Sequence, residues 1–205
     1  GEIALSNNGI LFFDELPHFS KSVLEALREP LEDNKILISR VNNKILYETK
    51  FIFIAAMNPC PCGNLLSSVK ECRCNELEIQ RYKNRLSEPF LDRIDLYLVM
   101  NDSFNDNKNI VNSKELHENV IKAFIKQKTR GQKELNGKLS DEDIKKYCIL
   151  DEESLIILEK ARLNYNLTFR SINKVLKVAR TIADLNDDEI ITKNDLLQSL
   201  NFRRR

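Results

Sequence analysis

The chain has no tryptophan, two histidines and only five glycines among its 205 residues. The glycines stand at positions 1, 9, 63, 131 and 137 and nowhere form the phosphate-cradling loop G-x-x-x-x-G-K-[ST]. The near match "GQKELNGKL" has one residue too many between its glycines and no Ser or Thr after its lysine. His18 and His117 are isolated in the sequence, and both are expected to be surface residues. No stretch approaches the ~18 apolar residues of a membrane helix, and no basic-then-apolar leader opens the chain. A cytoplasmic location with no membrane partner is expected. In a reducing compartment, the five cysteines argue against a disulfide framework. A net charge of +1 says nothing about partners, since a nucleic-acid contact needs only a local basic feature.

What is present divides the chain into an α/β part, 1–101, and a helical part, 102–205. "ILFFD" reads as a short buried strand, and Ser20 can cap a helix to about Asp33 that Pro30 should kink or shorten. "KILISRVNNKILYE" has two β-rich arms about Asn42-Asn43, a β-hairpin over 35–48 with Arg40 and Lys44 near its tip. A fully apolar strand, Phe51 to Met57, is stopped by Asn58-Pro59, a cysteine-bearing loop fills 60–74, and a polar helix covers 75–86. "DRIDLYLVM" reads as one more strand, and "NDSFNDNKN" as a polar linker. Beyond it "LSDEDI" and "ITKNDLL" carry capping patterns. "SINKVLKVARTIADL" is amphipathic through Ile172, Val175, Leu176, Ala179 and Ile182.

Four features carry chemistry. Apolar residues running into Asp14-Glu15 have the Walker B pattern of nucleotide triphosphatases: Asp14 would hold Mg²⁺ on the phosphates, and Glu15 would polarise the attacking water. The alternative is a turn with two solvated acids. Asn58, ending another strand, could orient that water, or Asn-Pro could simply start a turn. Arg93 in "PFLDRIDL" could serve as an arginine finger on a neighbouring subunit's nucleotide, or lie in a surface loop. Cys60, Cys62, Cys72 and Cys74 form two C-x-C pairs that suit tetrahedral Zn²⁺, although C-x-x-C is the commoner spacing. The other reading is four reduced thiols. Cys148, at a helix end, reads as a core residue.

The stretches "GILFFDELPHF", "VLEALREPLE", "FIFIAAMNPCPCG", "RLSEPFLDRIDL" and "KVARTIADL" closely resemble the magnesium-chelatase-like AAA+ ATPases, nearest the competence-associated ComM/YifB group. The resemblance runs over nearly the whole chain. It implies a partial AAA+ P-loop-type core from Walker B onward, followed by an all-α lid and chelatase-like carboxyl-terminal domain. It further implies ATP and Mg²⁺ as ligands and a homo-hexameric ring. Asp14 and Glu15 match the Walker B pair, Asn58 the sensor 1 residue and Arg93 the arginine finger. Arg170 in "TFRSINKVL" matches the sensor 2 arginine that reaches the γ-phosphate from the lid. The hairpin matches the family's insertion before sensor 1, where Arg40 and Lys44 could track a DNA backbone without reading sequence or simply be solvated.

The missing phosphate loop departs from this pattern. In the family it precedes Walker B, so the expectation is the carboxyl-terminal portion of a longer ATPase that cannot turn over ATP alone. The leading expectation is then a fragment of an ATP-driven DNA helicase acting in branch migration during competence-related recombination. Its rivals are an ATPase that remodels a protein or assists Mg²⁺ insertion into a porphyrin, and a non-catalytic ring subunit that naturally lacks the loop.

Overall fold

The computed structural model describes residues 1–40, 43–100 and 111–203. The chain is mixed α/β and divides into two units: one is Gly1–Ile94 with Met100–Ser103, the other Asp95–Val99 with Phe104–Arg205. The linker expected over 101–109 lies outside the described residues.

In the first unit a one-turn helix α1 (Glu2–Leu5) precedes strand β1 (Ile10–Phe13) and a 3₁₀ turn at Leu16–His18. Helix α2 (Lys21–Ala26) starts at Ser20, whose hydroxyl accepts from the N–H of Val23 at 3.4 Å. Its predicted run to Asp33 breaks instead into α2 and α3 (Arg28–Asp33). Pro30 explains the break. It has no N–H for the carbonyl of Ala26, and its ring would strike that carbonyl in a continuous helix. Within the first turn of α3 the missing donor costs nothing.

Asn34 ends α3 in the left-handed region, with φ 55°. Strands β2 (Lys35–Arg40) and β3 (Asn43–Glu48) then form an antiparallel hairpin. Its register pairs Arg40 with Asn43, so Asn43 belongs to β3 and not to the turn. The other expected turn residue, Asn42, lies outside the described residues. The hairpin closes at its base, where Thr49 donates its N–H to Asn34 (2.8 Å) and its hydroxyl to the carbonyl of Pro30 (3.4 Å). Thr49 is buried, whereas every residue of β3 is exposed.

Strand β4 (Ile52–Ala55) runs parallel to β1, with Leu11 opposite Phe53 and Phe13 opposite Ala55. It is shorter than the predicted run to Met57. Inward-facing rings join this pair to its surroundings: Phe13 stacks on Phe19 at 4.3 Å, and Phe53 meets the edge of Phe90 at 6.2 Å. Helices α4 (Glu76–Lys83) and α5 (Glu88–Leu91) follow, capped by Asn75 and Ser87. Leu24, Leu27, Phe51, Tyr82 and Phe90 are among the buried core residues of this unit. The predicted strand over "DRIDLYLVM" does not form. Its alternating apolar residues Leu96, Leu98 and Met100 are exposed; the N–H of Tyr97 bonds the carbonyl of Phe202 (2.7 Å), but no residue of 95–100 joins a strand ladder. An apolar pattern supplies a face, but a strand also needs a neighbour's backbone.

The second unit is built on α9 (Phe169–Leu185), with α6 (Ser113–Thr129), α7 (Asp141–Tyr147), α8 (Glu152–Asn164) and α10 (Lys193–Asn201) around it. Val175, Leu176, Ala179 and Ile182 are buried, as the amphipathic pattern requires. Val175, Leu176 and Ala179 share one core cluster with Ile144, Leu158, Ile191 and Leu196. Cys148 joins this core at the end of α7, and desolvation pushes its thiol up to about 11. Ser140 and Thr192 cap α7 and α10 as expected; at Thr192 the capping box is complete, with Asp195 returning a bond to the Thr192 N–H (2.9 Å).

A polar cluster sits inside this helical core. Arg180 and Asp184, one turn apart on α9, both have fully buried side chains. Arg180 donates through Nε to Asp184 Oδ1 (3.1 Å), and through its two terminal nitrogens to the carbonyls of Glu189 and Asp188 (2.7 Å each). Asp184 also accepts from Arg130 and from Asn136 Nδ2 (2.8 Å). The "ARTIAD" stretch therefore does structural work.

Candidate functional site

Because β1 and β4 are parallel, both strands release their chains at the same end, the carboxyl end where open α/β sheets place ligand sites. Ladder-like bonding continues one step beyond them: the N–H of Ala56 bonds the Phe13 carbonyl (2.9 Å), and that of Leu16 bonds the Ala56 carbonyl (3.0 Å). This clamp holds Asp14 and Glu15 beside the segment leading to Asn58. Glu15 adopts the left-handed conformation, φ 50°, uncommon for a residue with a side chain. Its N–H bonds Asp14 Oδ1 at 2.9 Å. The turn buries Leu16 and Pro17 and leaves both carboxylates exposed. His18 Nδ1 lies 4.0 Å from Glu15 Oε2, with both side chains largely exposed.

Asn58 is exposed, and two neighbours fix its surroundings. The hydroxyl of buried Tyr82 is hydrogen-bonded to the backbone of Asn58; desolvation raises the Tyr82 pKa, the Asn58 contact opposes it, and the nearby Glu15 charge adds to it. Gly63 is near its side chain: at φ +79°, a Cβ there would come within 3.9 Å of the Asn58 amide group. Tyr82 is a residue that sequence reasoning missed. Its only signal is being the lone ring in the polar helix "ELEIQRYK".

The four cysteines of the loop converge. The Sγ atoms of Cys60, Cys62, Cys72 and Cys74 all lie within 4.8 Å of one another. Cys60 to Cys62 is 3.4 Å, Cys62 to Cys72 is 3.6 Å and Cys60 to Cys72 is 3.7 Å. Backbone hydrogen bonds from Asn64 and Arg73 lower the Cys62 thiol to about 6, while desolvation raises Cys74 to about 12. A group that gathers four sulfurs has the donor set of a soft or borderline metal ion.

Arg93 is mostly covered, its side chain 11% exposed. Its Nε faces Glu32 Oε2 at 3.4 Å and donates to the Arg28 carbonyl (3.1 Å), both within the first unit. Lys44 is an exposed residue of β3 opposite Ser39, and Arg40 ends β2. Arg170 is exposed in the first turn of α9, in the second unit. The structure thus gathers Asp14, Glu15, Asn58 and the cysteine cluster at or beside one strand end. Arg93 is held on α3, Arg40 and Lys44 are on the hairpin, and Arg170 is in the other unit.

With this geometry in view, the relatives of the chain can be stated. Residues 1–108 match the profile of magnesium chelatase, subunit ChlI, and residues 111–203 match that of the ChlI carboxyl-terminal region. The chain belongs to the magnesium chelatase ChlI family, an AAA+ ATPase family. Within it the chain falls in the ComM/YifB group. It is 40% identical over 208 residues to the competence protein ComM of Haemophilus influenzae, covering 99% of this chain and 40% of that protein. Identity to YifB of Salmonella typhimurium is 40% over 211 residues, again 99% of this chain and 40% of the relative. A more distant similarity, 24% over 207 residues, joins 94% of the chain to 22% of the DNA replication licensing factor mcm6 of Schizosaccharomyces pombe. The chain therefore spans about two-fifths of the ComM and YifB relatives it matches. Among the described residues, no helix is long and apolar enough to cross a membrane.

Proposed function

We propose that these residues form part of the nucleotide site of an AAA+ ring motor that hydrolyses ATP to move DNA. The observation that carries the reading is the clamp at the end of β1 and β4, which sets two exposed carboxylates beside the segment bearing Asn58. Asp14 is a hard oxygen donor suited to the Mg²⁺ of the incoming Mg²⁺–ATP. Glu15 draws a proton from the attacking water, and the Asn58 amide orients that water. Arg170 supplies positive charge to the phosphates. Arg93 does so for a neighbouring subunit of a homo-hexamer, which requires it to exchange Glu32 for phosphate. The 205 residues hold no phosphate-cradling loop, so on their own they are expected not to turn over ATP.

DNA as the substrate is supported by the printed names of two relatives, a competence protein and a DNA replication licensing factor. Arg40 and Lys44 near the hairpin tip would contact its phosphates without reading bases. The family description itself favours a second reading, an ATPase that remodels a protein or assists Mg²⁺ insertion into a porphyrin.

The test is ATP turnover by the native protein with and without single-stranded DNA, repeated for Glu15→Gln. Stimulation by DNA is expected, with a loss on the order of 100-fold or more in the variant. Turnover indifferent to DNA would move the substrate to protein or porphyrin. Unchanged turnover in Glu15→Gln would overturn the assignment of the acid pair.

A further inference from the structure

We propose that Cys60, Cys62, Cys72 and Cys74 bind one structural Zn²⁺, which fixes loop 60–74 against Asn58. This inference stands independently of ATP hydrolysis.

The geometry is that of a mononuclear tetrathiolate site. With Zn–S bonds of about 2.3 Å, tetrahedral coordination puts neighbouring sulfurs about 3.8 Å apart. The three separations given above, 3.4, 3.6 and 3.7 Å, come close to this edge length. They are far from the ~2.05 Å of a disulfide, and the four cysteines are free thiols. Backbone donors surround the cluster: Asn64 and Arg73 hydrogen-bond Cys62, and the backbone of Cys62 hydrogen-bonds Cys74. Such bonds offset thiolate charge and orient the ligands. Four sulfur donors and no oxygen or imidazole select zinc over the harder divalent ions.

The loop also needs such a tether. Between residues 60 and 74 only Cys60 is buried, and Leu65, Leu66 and Val69 are exposed at 37%, 48% and 69%. The described segment has neither helix nor strand, and hydrophobic burial within it is too small to hold one conformation. Yet Gly63 lies close enough to Asn58 that a Cβ on it would be 3.9 Å from the Asn58 amide group, and fully buried Cys60 follows Asn58 by two positions. A metal joining Cys60 and Cys62 to Cys72 and Cys74 closes the loop at both ends and holds that approach.

The experiment uses the native protein purified without chelators. Elemental analysis should give about one zinc per chain; Cys62→Ser and Cys72→Ser should lose most of it, and Cys148→Ser should keep it. Co²⁺ put in place of zinc should show the strong visible absorption of a tetrahedral thiolate site. Because a cysteine variant can simply misfold, the wild-type protein is also treated with chelator and then re-supplied with zinc. Tryptic cleavage after the exposed Lys70 and Arg73 should accelerate on the order of tenfold or more on metal removal and recover on re-addition. Zinc well below one per chain, iron in its place, or a cleavage rate indifferent to the metal would each overturn the proposal.

Discussion

Asp184 offers the sharpest test of how the helical unit is held together. Asp184→Asn keeps the shape of the side chain, removes its charge and points an amide at groups that are already donors. Arg180, fully buried, loses the Asp184 carboxylate but keeps the carbonyls of Asp188 and Glu189. Arg130, with a side chain 21% exposed, can turn to water. The loss is therefore set mainly by Arg180, and it falls at the lower end of the cost of breaking a buried pair, about 3 kcal/mol. Hydrogen exchange of the α9 amides reads this directly. At tenfold per ~1.4 kcal/mol, their protection should drop by about 100-fold. Replacing both charges, Arg180→Leu with Asp184→Leu, should recover much of the loss, since an apolar pair leaves no stranded ion. Protection falling less than about fivefold in Asp184→Asn, or a double variant worse than the single one, would refute the reasoning.

Two further outcomes follow from features of the same kind. Thr192→Ala removes the hydroxyl of the capping box on α10 and should cost about 1–2 kcal/mol, seen as a lower Tm; no change would mean that Asp195 caps the helix unaided. Acid should destabilise the fold, because three carboxylates have pKa values below their ordinary range: Glu25 through its bond from Arg28, Asp151 through Ser154 and Asp187 through Lys126. A depressed folded pKa gives stability that is present above the unfolded values of about 4 and lost as pH falls through the folded ones. Tm should be level from neutral pH to about 5 and decline below it, and a Tm that rises from pH 5 to 3 would contradict this.

The parts of the fold readable from sequence were those decided within a few residues. Ser20, Ser140 and Thr192 cap helices because a hydroxyl and an N–H three residues on suffice. The apolar stripe of α9 declares its buried face by spacing alone. Where partners are remote, the reading weakened. The run 95–100 has a strand's pattern but is not paired in a strand ladder, and Tyr97 instead bonds the remote Phe202 carbonyl. Arg93 looks like a loop arginine until Glu32, far away in the chain, is brought beside it. Arg180 and Asp184 have the spacing of any solvated helix pair, and only packing shows that they are buried. At the candidate site, the acid pair and the two C-x-C motifs were legible. The approach of Tyr82 and Gly63 to Asn58 was not, since it depends on a loop folding back on itself.

The closed base of the β2–β3 hairpin has a consequence for how this protein can change over time. Thr49 ties the two arms together at Asn34 and Pro30, and beyond that tie every residue of β3 is exposed and no described residue of β2 is buried. The arms can gain or lose residues in matched pairs, keeping each face of the ribbon as it was, while Leu24, Leu27 and Phe90 remain packed as they are. Length and tip composition are thereby uncoupled from foldability. The hairpin is a place where descendants of one ancestor can diverge in reach without re-solving the core.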